Sequence, residues 1–151
     1  MKCKELQIGD KVALINGIIA TIVEVGEDYA YAVLNEYETM DPWEFNDQDN
    51  HPEGIPLTKE MLDANGFRYE NECNGFGTYF CSRIESRDPS MYICVRWVES
   101  FEGRKPISIY CTGRKNGKDS AASIWRELYV HTLQHALRLI GLSEIADNFK
   151  V

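Results

Sequence analysis

Two histidines near the C-terminus have the spacing closest to that of a chemical site. His131 and His135 are four residues apart, so on a helix both side chains leave the same face and could chelate a metal ion. A zinc-peptidase helix, however, has Glu directly after its first His, where this chain has Thr132, and His51 is the only other histidine. The spacing is compatible with a metal-dependent hydrolase that uses His131 and His135. It favours the alternative that both histidines lie on a polar helix face in contact with solvent or a partner. We therefore assign no catalytic residue and no metal ligand.

A stretch rich in glycine and basic residues, 113–118, resembles a phosphate-binding loop. A P-loop needs four residues between its glycines and Ser or Thr after its Lys. This chain has three residues there, and Asp119 follows Lys118. We predict a flexible basic loop that leads into the last helix, whose N-cap would be Asp119, Ser120 or Ser123.

Basic residues on either side of the last predicted strand raise the alternative of a nucleic-acid-binding protein. Two of them precede the strand and three follow it, so we expect them at opposite ends of a sheet, which is weaker than one continuous footprint. Tyr79, Tyr92 and Tyr110 could stack on bases, although tyrosine in a sheet is more often structural. The candidate contacts of this disfavoured alternative are Arg104, Lys105, Arg114, Lys115 and Lys118.

The sequence lacks the residue spacing of three other kinds of site: a cysteine-based metal or disulfide site, a calcium loop and a serine nucleophile motif. The five cysteines contain no Cys-x-x-Cys pair, and we expect Cys81, Cys94 and Cys111 to pack as small apolar residues in strands. The pair Asp47 and Asp49 departs from a calcium loop in the residues that follow. No Gly-x-Ser-x-Gly is present. The sequence favours a non-enzymatic protein, and we expect no cofactor.

The histidines belong to the helix around which we expect the fold to be organised. At about 100° per residue, the segment 125–141 carries one broad apolar stripe, and Gly141 suits the position that ends such a helix. We predict that Leu133 and Leu137 are almost fully buried against the sheet. The strand face that they meet should carry Ile93, Val95 and Trp97. The opposite, polar side is the candidate interaction surface: His131, Gln134, His135 and Arg138.

The 151 residues divide into two parts of different charge. Residues 1–57 hold twelve acidic and three basic side chains, a net of −9, whereas residues 58–151 have a net of +1. Turn signals such as Asn16-Gly17 between β-branched runs predict an SH3-like β-barrel or curled sheet over 1–45. An acidic linker over 46–54 should follow. Residues 55–151 should form a helix, an antiparallel meander of about four strands and the long C-terminal helix, so the fold class is α+β.

The charge distribution and the hydropathy of the sequence limit the classes of partner that we expect. The acidic first part favours a basic protein partner or basic patches on another copy of the chain, and disfavours a phosphate backbone there. No apolar run approaches the roughly 20 residues that span a bilayer, and the N-terminal segment lacks the apolar core of a signal peptide. We expect a cytoplasmic protein without a membrane partner.

Three segments carry a resemblance to a known family. They are Leu6-Gln-Ile-Gly-Asp-x-Val12, Ile55-Pro-Leu-Thr-x-Glu-x-Leu-x-x-x-Gly-Phe67 and Tyr129-Val-His-x-Leu-Gln134. In this order they resemble a family of small uncharacterised proteins from prophages and mobile elements of Bacteroides-type bacteria. The resemblance implies a cytoplasmic, phage-associated accessory protein and implies no mechanism.

Overall fold

The protein is α+β, with two antiparallel sheets and short helices. The computed structural model describes residues 2–14, 17–34, 42–46, 51–74, 77–86, 91–100, 103–115, 118–124 and 128–151. It describes their side chains except at 70–74, 77–80, 98–100, 103–105, 107, 113–115 and 118–124. Within these ranges, no helix combines the length and the apolar character that crossing a membrane requires.

The first sheet is a meander of four strands in sequence order. They are β1 (Lys11–Ala13), β2 (Ile19–Val25), β3 (Tyr29–Leu34) and β4 (Trp43–Asn46), preceded by a 3-10 turn at Cys3–Glu5. Alternate residues are buried, including Ala30 and Ala32 in β3, and they form a separate small core with Phe45. Gly17 has φ of 80° in the predicted β1–β2 turn, while Asn16 lies outside the described residues. Among the described strands β1 does not pair with β4, so the sheet is open and does not close into a barrel.

Residues 51–57 run between the two sheets and pair with β1 and with the residues at the start of the C-terminal helix Val130–Leu139. Glu53 exchanges two backbone hydrogen bonds with Ala13 of β1, at 2.9 and 3.0 Å. Ile55 accepts a hydrogen bond from the Val130 N–H at 2.8 Å. The described end of the predicted linker is therefore held in place on both sides. The acidic pair Asp47 and Asp49 lies outside the described residues.

The helix α1 (Lys59–Ala64) follows, with the ends that the sequence predicts. The Thr58 hydroxyl accepts from the Met61 N–H at 3.2 Å, as an N-cap does. Gly66 has φ of 82° just after the helix, a left-handed conformation that glycine adopts without steric cost.

The second sheet is a five-stranded antiparallel meander in the order β5 to β9. Its strands are β5 (Arg68–Asn74), β6 (Gly77–Glu85), β7 (Tyr92–Ser100), β8 (Gly103–Lys115) and β9 (Lys118–Ile124). The prediction of a flexible basic loop over 113–118 is wrong for 113–115, which are the last residues of β8, and for Lys118, which begins β9. Residues 118–124 pair with β8 as a further strand and do not lead into a helix. Asp119, Ser120 and Ser123 therefore lie in a strand and do not cap a helix.

The C-terminal helix is shorter than the apolar segment 125–141 from which it was predicted. α2 spans Val130–Leu139, and Tyr129 occupies the N-cap position without a side-chain cap. Gly141 follows with φ of 81°, and Leu142 N–H donates to the Leu137 carbonyl at 2.9 Å, the hydrogen bond of a Schellman end. A short helix, α3 (Ser143–Asp147), completes the chain.

The apolar side of α2 covers one face of the second sheet, as predicted. Leu133 and Leu137 are fully buried, and they share one core with Ile93, Val95 and Trp97. The indole N–H of Trp97 donates to the Ser82 hydroxyl at 3.1 Å inside this core. Cys81, Cys94 and Cys111 are free thiols in strands, the first two buried, which confirms their packing role.

Candidate functional site

The polar side of α2 packs against the start of the first sheet. Its centre is Asp10, whose side chain is fully buried. His135 Nε2 lies 2.7 Å from Asp10 Oδ2, and Arg138 Nη1 lies 2.7 Å from Oδ1. The Gln7 N–H donates to Oδ2 at 2.8 Å. A buried carboxylate is costly unless it is paired and hydrogen-bonded, and this arrangement supplies both.

Gln134 bonds the helix to two other elements through its amide. The Oε1 atom accepts from the Lys11 N–H of β1 at 2.8 Å. The amide nitrogen donates to the Gly9 carbonyl at 3.0 Å and to the Ala146 carbonyl of α3 at 2.7 Å. The residue is fully buried, so its polar atoms satisfy backbone groups that water does not reach.

His131 is buried beside this network. Its ring stacks on Tyr129, with centroids 5.6 Å apart, and meets the His135 ring edge-on at 6.0 Å. Burial lowers the pKa of His131 to about 4. The neutral ring is therefore the form that the fold holds at physiological pH. Among the described residues, no group of three or more His, Cys, Asp or Glu is placed to hold a metal ion.

The four residues of the predicted interaction surface thus contact the chain itself. His131 and Gln134 are buried, and His135 and Arg138 are half-buried. Arg138 also donates to Asp147 Oδ1 from Nε and Nη2, at 3.1 and 3.0 Å. A polar helix face can be satisfied by another part of the chain as well as by solvent, and here the first sheet and α3 satisfy it.

Asp10 is the residue of this network that the sequence pattern missed. Its partners His135 and Arg138 leave one side of α2, and such a row of cationic or hydrogen-bonding groups calls for a carboxylate. The row of polar residues on α2 indicated that a carboxylate partner exists. It did not identify which of the many carboxylates in the chain that partner is. The neighbouring Gly9 is required sterically, because it has φ of 89° and an added Cβ would lie 2.8 Å from Arg138 Nη2.

The segments that carry the family resemblance meet at this contact. Gly9 and Asp10 belong to the first, Ile55 to the second and Gln134 to the third. The hydrogen bonds of Gln134 to Gly9 and of Val130 to Ile55 join them. These segments therefore hold the two sheets together.

The basic residues singled out in the sequence lie at two separate places. Arg104 and Lys105 are in the first residues of β8, whereas Arg114 and Lys115 are in its last residues and Lys118 begins β9. Their side chains lie outside the described part of the structure. They do not form one continuous group along the strand.

A different set of basic residues shares one face of the second sheet. In the strand register Arg68 pairs with Arg83, Arg83 with Cys94, and Cys94 with Tyr110. Paired residues project to the same side of a sheet, and this side is opposite to the one that α2 covers. We call it the arginine–tyrosine face. Its members are Arg68, Arg83, Tyr92, Arg96 and Tyr110.

The arginines of this face lie over tyrosine rings. The guanidinium carbon of Arg83 is 3.9 Å from the centroid of the Tyr92 ring, and that of Arg96 is 4.9 Å from the centroid of Tyr110. The two tyrosine centroids are 6.4 Å apart. Cation–π contacts of this kind hold a guanidinium in place, and a guanidinium suits planar carboxylate and phosphate groups.

A small cavity opens at the edge of the same face. Its volume is about 190 Å³, and its lining comprises Gly66, Arg68, Arg83, Ile84 and Glu85. Arg83 Nη2 lies 2.7 Å from Glu85 Oε1, and the Glu85 side chain is 52% exposed. Two guanidinium groups and one movable carboxylate therefore border the cavity.

The outer face of the first sheet has the opposite charge. Tyr31 pairs with Glu24 on one side and with Glu44 on the other. The Tyr29 hydroxyl donates to Glu24 at 3.1 Å and the Tyr31 hydroxyl to Glu44 at 3.2 Å. These hydrogen bonds raise the pKa of each tyrosine. We call this set of four residues the tyrosine–glutamate face.

Comparison with protein-family models, with curated proteins and with solved structures finds no match to this chain.

Proposed function

We propose that this protein acts by binding another macromolecule, without catalysis, and that the arginine–tyrosine face is its binding surface. The observation that carries the proposal is the asymmetry of the second sheet. One side packs beneath α2, whereas the other presents guanidinium groups stacked on tyrosines. Arginine and tyrosine are the residue types most enriched at the energetic centres of interfaces.

The tyrosine–glutamate face supports a second surface, suited to a basic protein partner or to another copy of the chain. Glu24 and Glu44 flank Tyr31 on the two neighbouring strands. Aromatic rings beside carboxylates favour cationic side chains, through charge and through the ring faces.

The hydrolase alternative has less support. His135 is occupied by Asp10, and the neutral, buried His131 is stacked on Tyr129. Both histidines serve the contact between α2 and the first sheet, and among the described residues no third ligand joins them. A structural role explains their spacing.

The resemblance to prophage and mobile-element proteins supports a cytoplasmic accessory role. The meander order of β1 to β4, with the positive-φ Gly9 before β1, supports an SH3-like module that is open at one edge. We retain both as parts of the proposal.

A panel of immobilised polymers tests the proposed function. Heparin, polyglutamate and single-stranded oligonucleotides probe the arginine–tyrosine face, and polylysine probes the tyrosine–glutamate face. The variant Arg83→Gln/Arg96→Gln removes two charges from the first face. Lys2→Gln/Lys4→Gln removes two charges from exposed positions at the 3-10 turn and serves as the matched control.

We expect at least one polyanion to retain the wild-type protein at low salt, and the arginine variant to elute at clearly lower salt than the control variant. Retention of no polyanion, or equal elution of the two variants, would contradict the proposal. Loss of polylysine binding in Glu24→Gln/Glu44→Gln is the corresponding result for the second surface.

A further inference from the structure

We infer that the arginine–tyrosine face binds single-stranded nucleic acid, with bases stacked on the guanidinium–tyrosine pairs and a backbone phosphate at the cavity between Arg68 and Arg83. This inference rests on the proposed function and names the ligand of that surface. Its two supports are the stacking geometry of the face and the charge around the cavity.

The stacking geometry favours flat ligands. The guanidinium carbon of Arg83 lies 3.9 Å from the Tyr92 ring centroid, and the Arg83 side chain is 26% exposed, so a flat group from outside can reach this pair. Arg96 and Tyr110 repeat the pair on the neighbouring strands. Unpaired bases stack on arginine planes and on aromatic rings, and a sheet with two or three such positions binds successive bases of a single strand.

The cavity supplies the phosphate contact. Arg68 and Arg83 are cross-strand partners and both line it. A guanidinium fork matches a phosphate in geometry as well as in charge. Because Arg83 belongs both to the cavity and to the stack over Tyr92, one strand can reach the phosphate position and the first base position together.

Charge complementarity is local to this part of the molecule. The whole chain carries −8, but the acidic excess lies in residues 1–57 and the remainder has a net of +1. Glu85 pairs with Arg83 at 2.7 Å and lines the cavity together with the two arginines. A bound phosphate would compete with Glu85 for Arg83, so Glu85 weakens anion binding in the free protein.

A single nucleic-acid strand fits this face better than an acidic protein does. Its phosphates bind the edges of the guanidinium groups, and its bases stack on their flat planes. Carboxylate side chains satisfy the guanidinium edges but offer no ring to stack on the guanidinium planes. A duplex keeps its bases paired and stacked on one another, so it too leaves the planes unused. The face should therefore discriminate among polyanions of similar charge.

Fluorescence anisotropy with labelled oligo(U) and oligo(dT) tests the inference. Lengths of roughly a dozen nucleotides suit a single sheet face. Polyglutamate of matched charge and a duplex of the same length serve as competitors. We expect binding to one or both single strands, with log Kobs against log salt sloping by about −0.7 for the one phosphate at the cavity. The RNA and DNA arms show whether the sugar is distinguished, and binding in either arm supports the inference.

Variants separate the contributions of charge and stacking. Arg83→Gln should weaken binding and reduce the salt slope by about 0.7, the contribution of one phosphate contact to single-strand binding. Tyr92→Leu keeps an apolar side chain but removes the ring, and should weaken binding about fivefold or more, since one base stack is lost. Lys4→Gln should change neither quantity.

Glu85→Gln is the decisive variant, because it should improve binding. It frees Arg83 from its ion pair, and we expect about two- to fivefold tighter binding, the range that an exposed ion pair commonly contributes. This gain cannot arise from misfolding. Weaker or unchanged binding in Glu85→Gln would contradict the placement of the phosphate.

Three further outcomes overturn the inference. If no single strand binds while heparin or polyglutamate does so through Arg83 and Arg96, the surface is a binding face for acidic proteins, and the proposed function stands without the nucleic acid. If polyglutamate or duplex competes as well as a single strand, base stacking plays no part. Absence of binding to every polyanion would remove the proposed function as well.

Discussion

Replacing Gln134 by leucine tests whether the polar side of α2 holds the two sheets together. Leucine has a similar volume, so the change leaves no large cavity, but it removes the amide. The Lys11 N–H and the Gly9 and Ala146 carbonyls then lose their partner. A buried backbone group without a partner costs about 1–3 kcal/mol.

Two of these three hydrogen bonds are only partly buried, so water can compensate for part of the loss. Leucine also gains a favourable transfer free energy. We therefore expect the free energy of unfolding to fall by about 2–4 kcal/mol, a large share of the roughly 5–15 kcal/mol of an ordinary domain. Thr132→Ala, on the same helix at a half-buried position, is the matched control.

Urea unfolding followed by far-UV circular dichroism gives the free energy, and hydrogen exchange gives the location. The Lys11 amide should exchange much faster in Gln134→Leu than in Thr132→Ala, because Gln134 is its hydrogen-bond acceptor. A loss of less than about 0.5 kcal/mol, with unchanged exchange at Lys11, would refute the role assigned to this side chain.

The remaining predictions concern the core, one buried histidine and two turns. Leu133→Ala should lower the free energy of unfolding by about 2–5 kcal/mol through lost transfer energy and a cavity. Leu139→Ala, 82% exposed, should change it by less than about 0.5 kcal/mol; equal effects in urea unfolding would contradict the packing of α2. His131 titrates near 4 when folded and near 6.5 when unfolded, so the unfolded state takes up the proton first as the pH falls through this window. The protein should lose about 2 kcal/mol between about pH 7 and pH 5 from this group alone, and His131→Gln should flatten the measured pH dependence by that amount. An unflattened profile would place the ring in solvent. Gly17→Ala meets no atom within 4 Å and should cost only the roughly 1 kcal/mol of a strained backbone. Gly9→Ala also displaces a guanidinium and should melt at a clearly lower temperature than Gly17→Ala.

The apolar pattern of the sequence was sufficient to predict which residues form the main core. The stripe of α2 places Leu133 and Leu137 on one side, and alternation in β7 places Ile93, Val95 and Trp97 on another. These periodicities follow from helix and strand geometry alone. The end signals at Thr58 and Gly141 act within a few residues of themselves, and they too were predictable.

The polar contacts depended on positions far apart in the chain, which one sequence does not fix. A polar helix side looks the same whether water or a buried Asp10 satisfies it. The arginine–tyrosine face depends on strand register, since Arg83 meets Tyr92 only through the pairing of β6 with β7. The extra strand β9 was missed because its lysine, serine and aspartate suit a loop by composition, and pairing with β8 outweighs that preference.

The most direct test of the binding surface is two-dimensional NMR of the ¹⁵N-labelled protein titrated with a single-stranded oligonucleotide. The side-chain Nε–H signals of Arg83 and Arg96 report on the arginine–tyrosine face, and that of Arg138 reports on the contact between the sheets. We predict that the signals of Arg83 and Arg96 shift in a saturable way while that of Arg138 stays in place. Shifts confined to Arg138 and to the residues of the first sheet, with Arg83 and Arg96 unmoved, would contradict the account.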